Sequence, residues 1–523
     1  MFLSKLYNSI IIAGVSCLPI FGSAQNNISA TSISESLNSV RESLNSVRET
    51  EIYLQYFKRL TPFNVISTLN EYNSNFSQVQ IGYQHSEASL PIDAQLGTGV
   101  EQMFFKAQSH IKVGKNSIAW GEAYYENGKR LGVSWNLNSD YKRVFPYVTA
   151  DTTTVSMLRE YYRFRGGYAH KQNKLTLGAE LSYQSTIEYR NRDPRPKNTS
   201  LDVQLRLGLG YDVLPQRVVA MYVDAGRYTQ QSNVIFMNPQ GNRVLYHLTG
   251  LGMQYFRFKG LQNAVKYEGN NYLIGISTHT KSGNGLQASA DMSHENIQKR
   301  LASERDIPIC DIFQTKWRGD ISWIKQQKLW TYKLMLNAEI VKREGQERFY
   351  DSGLTNYKQI ASSKPFLFQQ QIVQLSFATL HQFSPATWFV LQPNVAYDVQ
   401  NTQYLMPVRQ LKTAFIVPSL QLKFSQMFSK SLLAASVSSH FGKATHHHFV
   451  FNEPEVFDKP VEMFRNNAAM QQANYWDLEI QLRYDIRLIK VLSSVFVQLQ
   501  TGHRWYNNNQ NWNNIELSMG VTL

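Results

Sequence analysis

Three consecutive histidines, His446, His447 and His448, with His440 shortly before them, are the side chains of this 523-residue chain best suited to a transition metal. In an extended chain neighbouring side chains alternate sides, so His446 and His448 share a face and need one further ligand. Ser438 and His440 stand two apart and satisfy part of a nucleophile and base arrangement. No strained nucleophile turn accompanies them, and no catalytic residue is assigned. Arg190, Arg192, Arg195 and Lys197 crowd a stretch that Pro194 and Pro196 stiffen. The planar guanidinium fork suits phosphate and carboxylate, so these four are the candidate ligand-capturing residues. No cofactor motif is present.

The elements that must position these groups have a period of two. Leu175, Leu177, Ala179, Leu181 and Tyr183 alternate with Thr176, Gly178, Glu180 and Ser182. The pattern returns from Leu201 to Val213 and from Trp476 to Leu488. Strands in globular domains centre on about 5–6 residues, whereas tilted membrane strands need ~9–11 plus overhang, and these runs are of the longer kind. Aromatic residues gather near their ends, as at Trp330 with Tyr332 and Tyr475 with Trp476. Such girdles belong at a membrane interface. The chain closes on one more alternating strand, Ile515 to Leu523.

Connections give a second signal. Tight turns at 115–117, 171–174, 214–216, 281–285, 326–328, 384–387, 428–431 and 489–490 alternate with longer polar segments at 190–199, 230–262, 293–311, 343–365, 400–411, 443–474 and 506–513. This predicts an all-β, antiparallel up-and-down transmembrane β-barrel over 76–523, with tight turns in the periplasm and long loops outside. Its strands number about 20, within 18–22, because 126–160 and 230–270 are hard to parse.

Residues 1–24 read as a secretory signal ending in Gly22, Ser23 and Ala24, with a cut before Cys17 as the alternative. If Cys17 leaves, Cys310 alone remains and no intramolecular disulfide forms. Residues 25–75 form an arm, periplasmic or lumenal, in which Glu-Ser-Leu-Asn-Ser-Val-Arg occurs twice in tandem, at 35–41 and 42–48. Leu37, Val40, Leu44 and Val47 make a short helical stripe there. Mean hydropathy is −0.36, as expected when only alternate residues meet lipid. The net charge of +14 is scattered and forms no nucleic-acid tract. A basic lumen or loops facing lipopolysaccharide account for it.

Charged residues of the polar face cannot stand in lipid, so Glu180, Asp202, Arg206, Arg318, Glu479, Arg483 and Arg487 are expected to line the interior. Their mixed signs fit either a hydrated wall or ion pairs around an inserted segment. The expected place is an outer membrane, with lipid, lipopolysaccharide and the barrel assembly machinery as partners. The expected function is transport-related: a pore, or an accessory to a TonB-dependent uptake system, for small polar or anionic solutes. A non-transporting barrel for surface binding or assembly is the alternative, and a lipid-hydrolysing barrel the more distant one. About fifty residues before the first strand are too few for the globular plug of a TonB-dependent receptor.

The segments Tyr162-Arg163-Phe164-Arg165-Gly166-Gly167-Tyr168 and Asp193-Pro194-Arg195-Pro196-Lys197-Asn198, with Trp120-Gly121-Glu122 upstream, resemble a family of uncharacterised outer-membrane barrels from Bacteroidota. The resemblance spans residues 60–523 and implies fold and location. It also implies a TonB-dependent uptake receptor as a neighbour, and it implies no catalytic residue. Read physically, Gly166 and Gly167 within a strand suggest a bend or the close approach of another backbone.

Overall fold

In the computed structural model eighteen strands close into one antiparallel barrel. The structure describes residues 44, 47–50, 57, 64–71, 74–238, 244–258, 260, 264–303, 305–351, 357–451, 459–487 and 494–523. The signal stretch, Cys17 and the first heptapeptide lie outside them. The wall runs in chain order through β1 (Phe76–Ala88), β2 (Gly99–Lys112), β3 (Ser117–Val133), β5 (Val155–Gln172), β6 (Leu175–Tyr189), β7 (Arg195–Leu214) and β8 (Arg217–Ile235). It continues through β11 (Ala264–Thr280), β12 (Gly285–Leu301), β13 (Ile307–Gln327), β14 (Trp330–Tyr350), β15 (Gln359–Gln382) and β16 (Thr387–Tyr404). The last strands are β17 (Arg409–Met427), β18 (Ser431–Phe451), β19 (Tyr475–Arg487), β20 (Ser494–Tyr506) and β21 (Asn511–Thr522). Three short strands, β4 (Thr149–Ala150), β9 (Tyr246–Gly250) and β10 (Met253–Gln254), form a separate small sheet.

Each wall strand pairs with its neighbours in sequence, and β1 closes on β21 from Gln78 opposite Thr522 to Ala88 opposite Trp512. Every wall strand is thus paired on both sides and no edge remains, which is the condition for a strand to stand in hydrocarbon. The outer face carries Leu177, Leu181, Leu205, Leu207, Leu209, Ile274, Ile276, Leu336, Leu375 and Leu482, all exposed. So broad an apolar surface belongs in lipid. Among the described residues no helix is long and apolar enough to cross a membrane.

Wall strands run from 12 residues in β21 to 24 in β15, well beyond the ~9–11 that cross hydrocarbon. The excess lies on the side of the long loops. There the outward residues turn polar and pair with one another, as Lys266 with Glu268 at 2.5 Å and Lys342 with Glu344 at 2.8 Å. Much of what reads as loop is therefore ladder. The expected 343–365 segment is strand up to Tyr350 and again from Gln359, and 293–311 is strand but for the few residues between β12 and β13.

The strand number is below the central expectation for a definite reason. The two stretches that resist parsing turn inward rather than adding a hairpin. Residues 134–154 supply a short helix, Tyr141–Val144, and β4, while 236–263 supply β9, β10 and a turn at Phe256–Phe258. Tyr141, Val144, Tyr147, Val148, Tyr246, Leu248, Tyr255 and Phe258 pack against inward Tyr228, Val265, Tyr267, Ile297, Ile309 and Cys310. Among the described residues this lumenal plug is the largest apolar core, made of side chains with no period.

Candidate functional site

The bore holds two insertions and a cavity. At the end with the short turns the arm before β1 enters the barrel. Phe57 sits among Ala378, Leu380, Trp388 and Val390. The Arg48 guanidinium lies 3.9 Å above the Trp388 ring and donates to the Pro385 carbonyl at 2.7 Å. Asn64 donates to the Ser277 hydroxyl at 2.7 Å. Val65 and Ile66 lie over Gly178, Gly208 and Gly210, where a Cβ on Gly208 would stand 2.6 Å from Val65 Cγ2. Glycine at those positions makes room for the arm.

The quoted motifs meet beside this cradle. Trp120 covers Gly167, whose added Cβ would fall 2.2 Å from the indole, and donates to Glu180 at 2.7 Å. It also packs against the Val65 and Ile66 cluster. Gly167 thus makes room for the Trp120 side chain, and the Ala179 carbonyl of the neighbouring strand would also stand 2.8 Å from a Cβ there. Gly166 has no such neighbour. Glu122 pairs with Arg163 and, at 3.3 Å, with Arg165.

From the other end the plug is held across the bore. Arg143 donates to Asp202 at 2.6 Å and to Glu295 at 2.7 Å, with its guanidinium 4.0 Å above Tyr228. From the far wall Arg343 donates to the Lys142 and Phe145 carbonyls at 2.9 and 2.8 Å. Tyr267 donates to the Tyr147 carbonyl at 2.8 Å, and Arg409 to that of Leu251 at 2.7 Å. His247 is fully buried in β9, and burial pushes its imidazole well below the ordinary range, with Lys299 adding to the effect.

The two arcs of the wall differ. From β3 to β14 the inner face is cross-linked by charge. Arg206 pairs with Glu180 and Asp224, both at 2.8 Å, Arg318 with Asp291 at 2.7 Å, and Lys171 and Lys281 share Asp212 at 2.6 and 2.7 Å. From β15 round to β2 it is mainly amide and hydroxyl. Gln370 and Gln400 donate to Asp398 at 3.0 and 3.2 Å, Gln392 to Asn394 at 3.1 Å, Gln500 to Glu479 at 2.6 Å, and Gln102 to Gln84 at 3.0 Å. These side chains are half-buried, so this arc leaves room for water. Arg483, paired with Asp485 at 2.9 Å and 3.9 Å over Phe496, marks its lower end, and Arg487 continues the same face of β19.

All seven expected lumenal residues therefore face inward, and most are engaged in ion pairs. The loop cations are dispersed instead. Arg190 is buried and pairs with Asp151 at 2.8 Å, which removes it from any capturing role. Arg195 lies in β7 and is held by Asp193 at 2.8 Å. Arg192 and Lys197 are exposed, the latter also on β7. His446, His447 and His448 lie on β18 rather than in a loop, and no group of three His, Cys, Asp or Glu among the described residues could hold a metal. Ser438 and His440 share the inner face, with Ser438 opposite Glu479, whereas cutting membrane lipid calls for an outward serine. Reading by residue type missed Gly208, Gly210, Phe57 and the plug. The glycines on the polar face of β7 were their one visible signal.

Between plug and amide arc lies a cavity of about 700 Å³. Asp398, Gln400, Phe415, Tyr475 and Tyr506 line it, and the helix Lys459–Gln471 reaches it through Met463 and Asn467. Asn467 fastens the 89–98 loop by donating to Asp93 at 2.9 Å.

These features define a closed eighteen-strand barrel of membrane type whose bore is partly occupied by its own chain. The chain belongs to DUF6850, a family of unknown function, which it matches over residues 66–523. No curated protein matches it. Among solved structures it is similar to the ferric preacinetobactin receptor BauA of Acinetobacter baumannii, at 8% identity and a TM-score of 0.40 over 86% of this chain and 80% of that one. It is also similar to the copper transporter OprC, at 7% and 0.38 over 88% and 81%. A Pseudomonas aeruginosa FadL homologue matches at 9% and 0.32 over 88% and 92%.

Proposed function

We propose that this is an outer-membrane barrel serving transport of small polar solutes, occupied at rest and opened when the arm leaves the bore. The observation that carries this reading is the seating of Arg48, Phe57, Val65 and Ile66 inside the wall beside a half-buried amide arc. Eighteen strands enclose enough space for an aqueous channel, so an insertion is needed to shut it. The closed ladder and outward apolar band support an outer-membrane location, with lipopolysaccharide around the polar rim and assembly through the C-terminal strand. An uptake receptor as working partner follows from the resemblance alone. The inner cations are largely neutralised by neighbouring carboxylates, so the opened pore should discriminate weakly by charge, in contrast to the anion preference that the net charge suggests.

The test is conductance in planar bilayers. Full-length protein should conduct poorly, and deletion of residues 26–67 behind an intact signal should raise conductance at least about tenfold while heat-modifiable migration is retained. Equal conductance before and after deletion would overturn the reading.

A further inference from the structure

We infer that the cavity between the plug and the amide arc binds an uncharged, polyhydroxylated ligand the size of a disaccharide or trisaccharide. The inference rests on the transport reading and names the solute. About 700 Å³ falls within the range of small-molecule sites.

The ring side of the cavity is built. Gly442 leaves room for Tyr475, since a Cβ there would lie 2.1 Å from the ring. Tyr475 stands 6.4 Å from Tyr506 and 6.2 Å from Phe415, centroid to centroid. Aromatic faces with a hydroxyl at one end accept the C–H face of a pyranose and bond its rim. Gln370 and Gln400 sit opposite each other on β15 and β16, and Asp398 lies two residues from Gln400 on the same inner face. Amides and a carboxylate so spaced offer donors and acceptors to vicinal hydroxyls.

The charges argue against an anion. Arg504 is committed to Asp477 at 2.6 Å, Lys316 to Glu339 at 3.4 Å, and Arg343 to the two plug carbonyls. Recruiting a guanidinium fork for a phosphate or carboxylate would break a contact that holds the plug or the wall, and Lys142, which also lines the cavity, is a point charge set among the carboxylates of Asp93, Glu339 and Asp398. A purely apolar ligand would take the Asp398 carboxylate and the amide oxygens beside it out of water with nothing in return.

The experiment is calorimetric titration of the full-length protein in detergent with neutral gluco-, galacto- and manno-configured di- and trisaccharides, beside a glucuronate-containing disaccharide. At least one neutral sugar should bind saturably in the millimolar range or tighter and outbind the glucuronate sugar. Tyr475→Ala should weaken it at least about tenfold, and Tyr475→Phe should stay within about twofold because the ring remains. Gln400→Ala, which leaves ring and ladder in place, should weaken it about three- to fivefold and serves if the alanine variant at 475 does not fold. No saturable binding of any neutral sugar up to about 20 mM, tighter binding of the glucuronate sugar, or unchanged affinity in the Gln400→Ala protein would each overturn the inference. A protein whose conductance rises on arm deletion but which fails this titration loses the ligand assignment and keeps the transport reading. The reverse pair of results keeps a binding barrel and loses the pore.

Discussion

Arg190 and Asp151 are each only 1% exposed, so removing one leaves its partner charged and buried. Breaking such a pair costs about 3–5 kcal/mol, while replacing both partners often costs far less. Arg190→Ala is therefore expected to lower the temperature at which the barrel loses its heat-modifiable migration, and Arg190→Ala with Asp151→Ala to recover much of the loss. Equal melting of the single and double variants would show that the pair is unimportant. His247 bears on pH. Its folded-state pKa is lowered by burial, so the released plug binds the proton more readily than the docked one. Stability of docking is present above the ordinary histidine value of about 6.5 and falls as pH drops below it. The protection factors of residues 245–258 in hydrogen exchange should fall between about pH 7 and pH 5, and His247→Leu should flatten that dependence. A flat profile in the unmodified protein would refute the assignment.

At the scale of elements, glycines on the inner face of β7 decide whether the arm can lie there. Gly208→Val adds methyl groups where a single Cβ already meets Val65 at 2.6 Å. It should expel the arm and raise conductance without any deletion, whereas Gly319→Val, at a position with open space around it, should not. The hairpins also predict topology. A tag inserted after Arg192 should be labelled on intact cells and one at Pro215 should not. Much of this was legible beforehand, because one lipid-facing and one wet face force strict alternation, as in β6 and β7. The tight turns expected at 171–174 and 214–216 enclose the observed breaks after Gln172 and Leu214. Above the apolar band both faces are polar, alternation vanishes, and strand reads as loop. That is why His446 to His448 and Arg195 to Lys197 were placed wrongly. The plug was illegible for another cause. Tyr147, Leu248 and Phe258 are buried from irregular backbone, and a side chain buried that way leaves no period in the sequence.

For the whole molecule, closure rests on the pairing of β1 with β21. Deleting Ile515 to Leu523 removes most of β21 and leaves unpaired backbone facing hydrocarbon. The truncated protein should be missing from the outer membrane, and normal levels there would contradict the closure argument. The tall polar rim has a consequence of its own. Because wall strands stay hydrogen-bonded well past the lipid, the loop tips stand on a stiff pedestal, and the plug is moored to that pedestal mainly by Arg343, Arg409 and Tyr267, with Arg190 between β6 and β7 adding a tie from a connection. Tip sequences can then drift under immune or phage pressure without disturbing the interior. Variation among natural variants should accordingly concentrate at 302–306 and 405–408, while Arg190 and the mooring residues beneath stay constant.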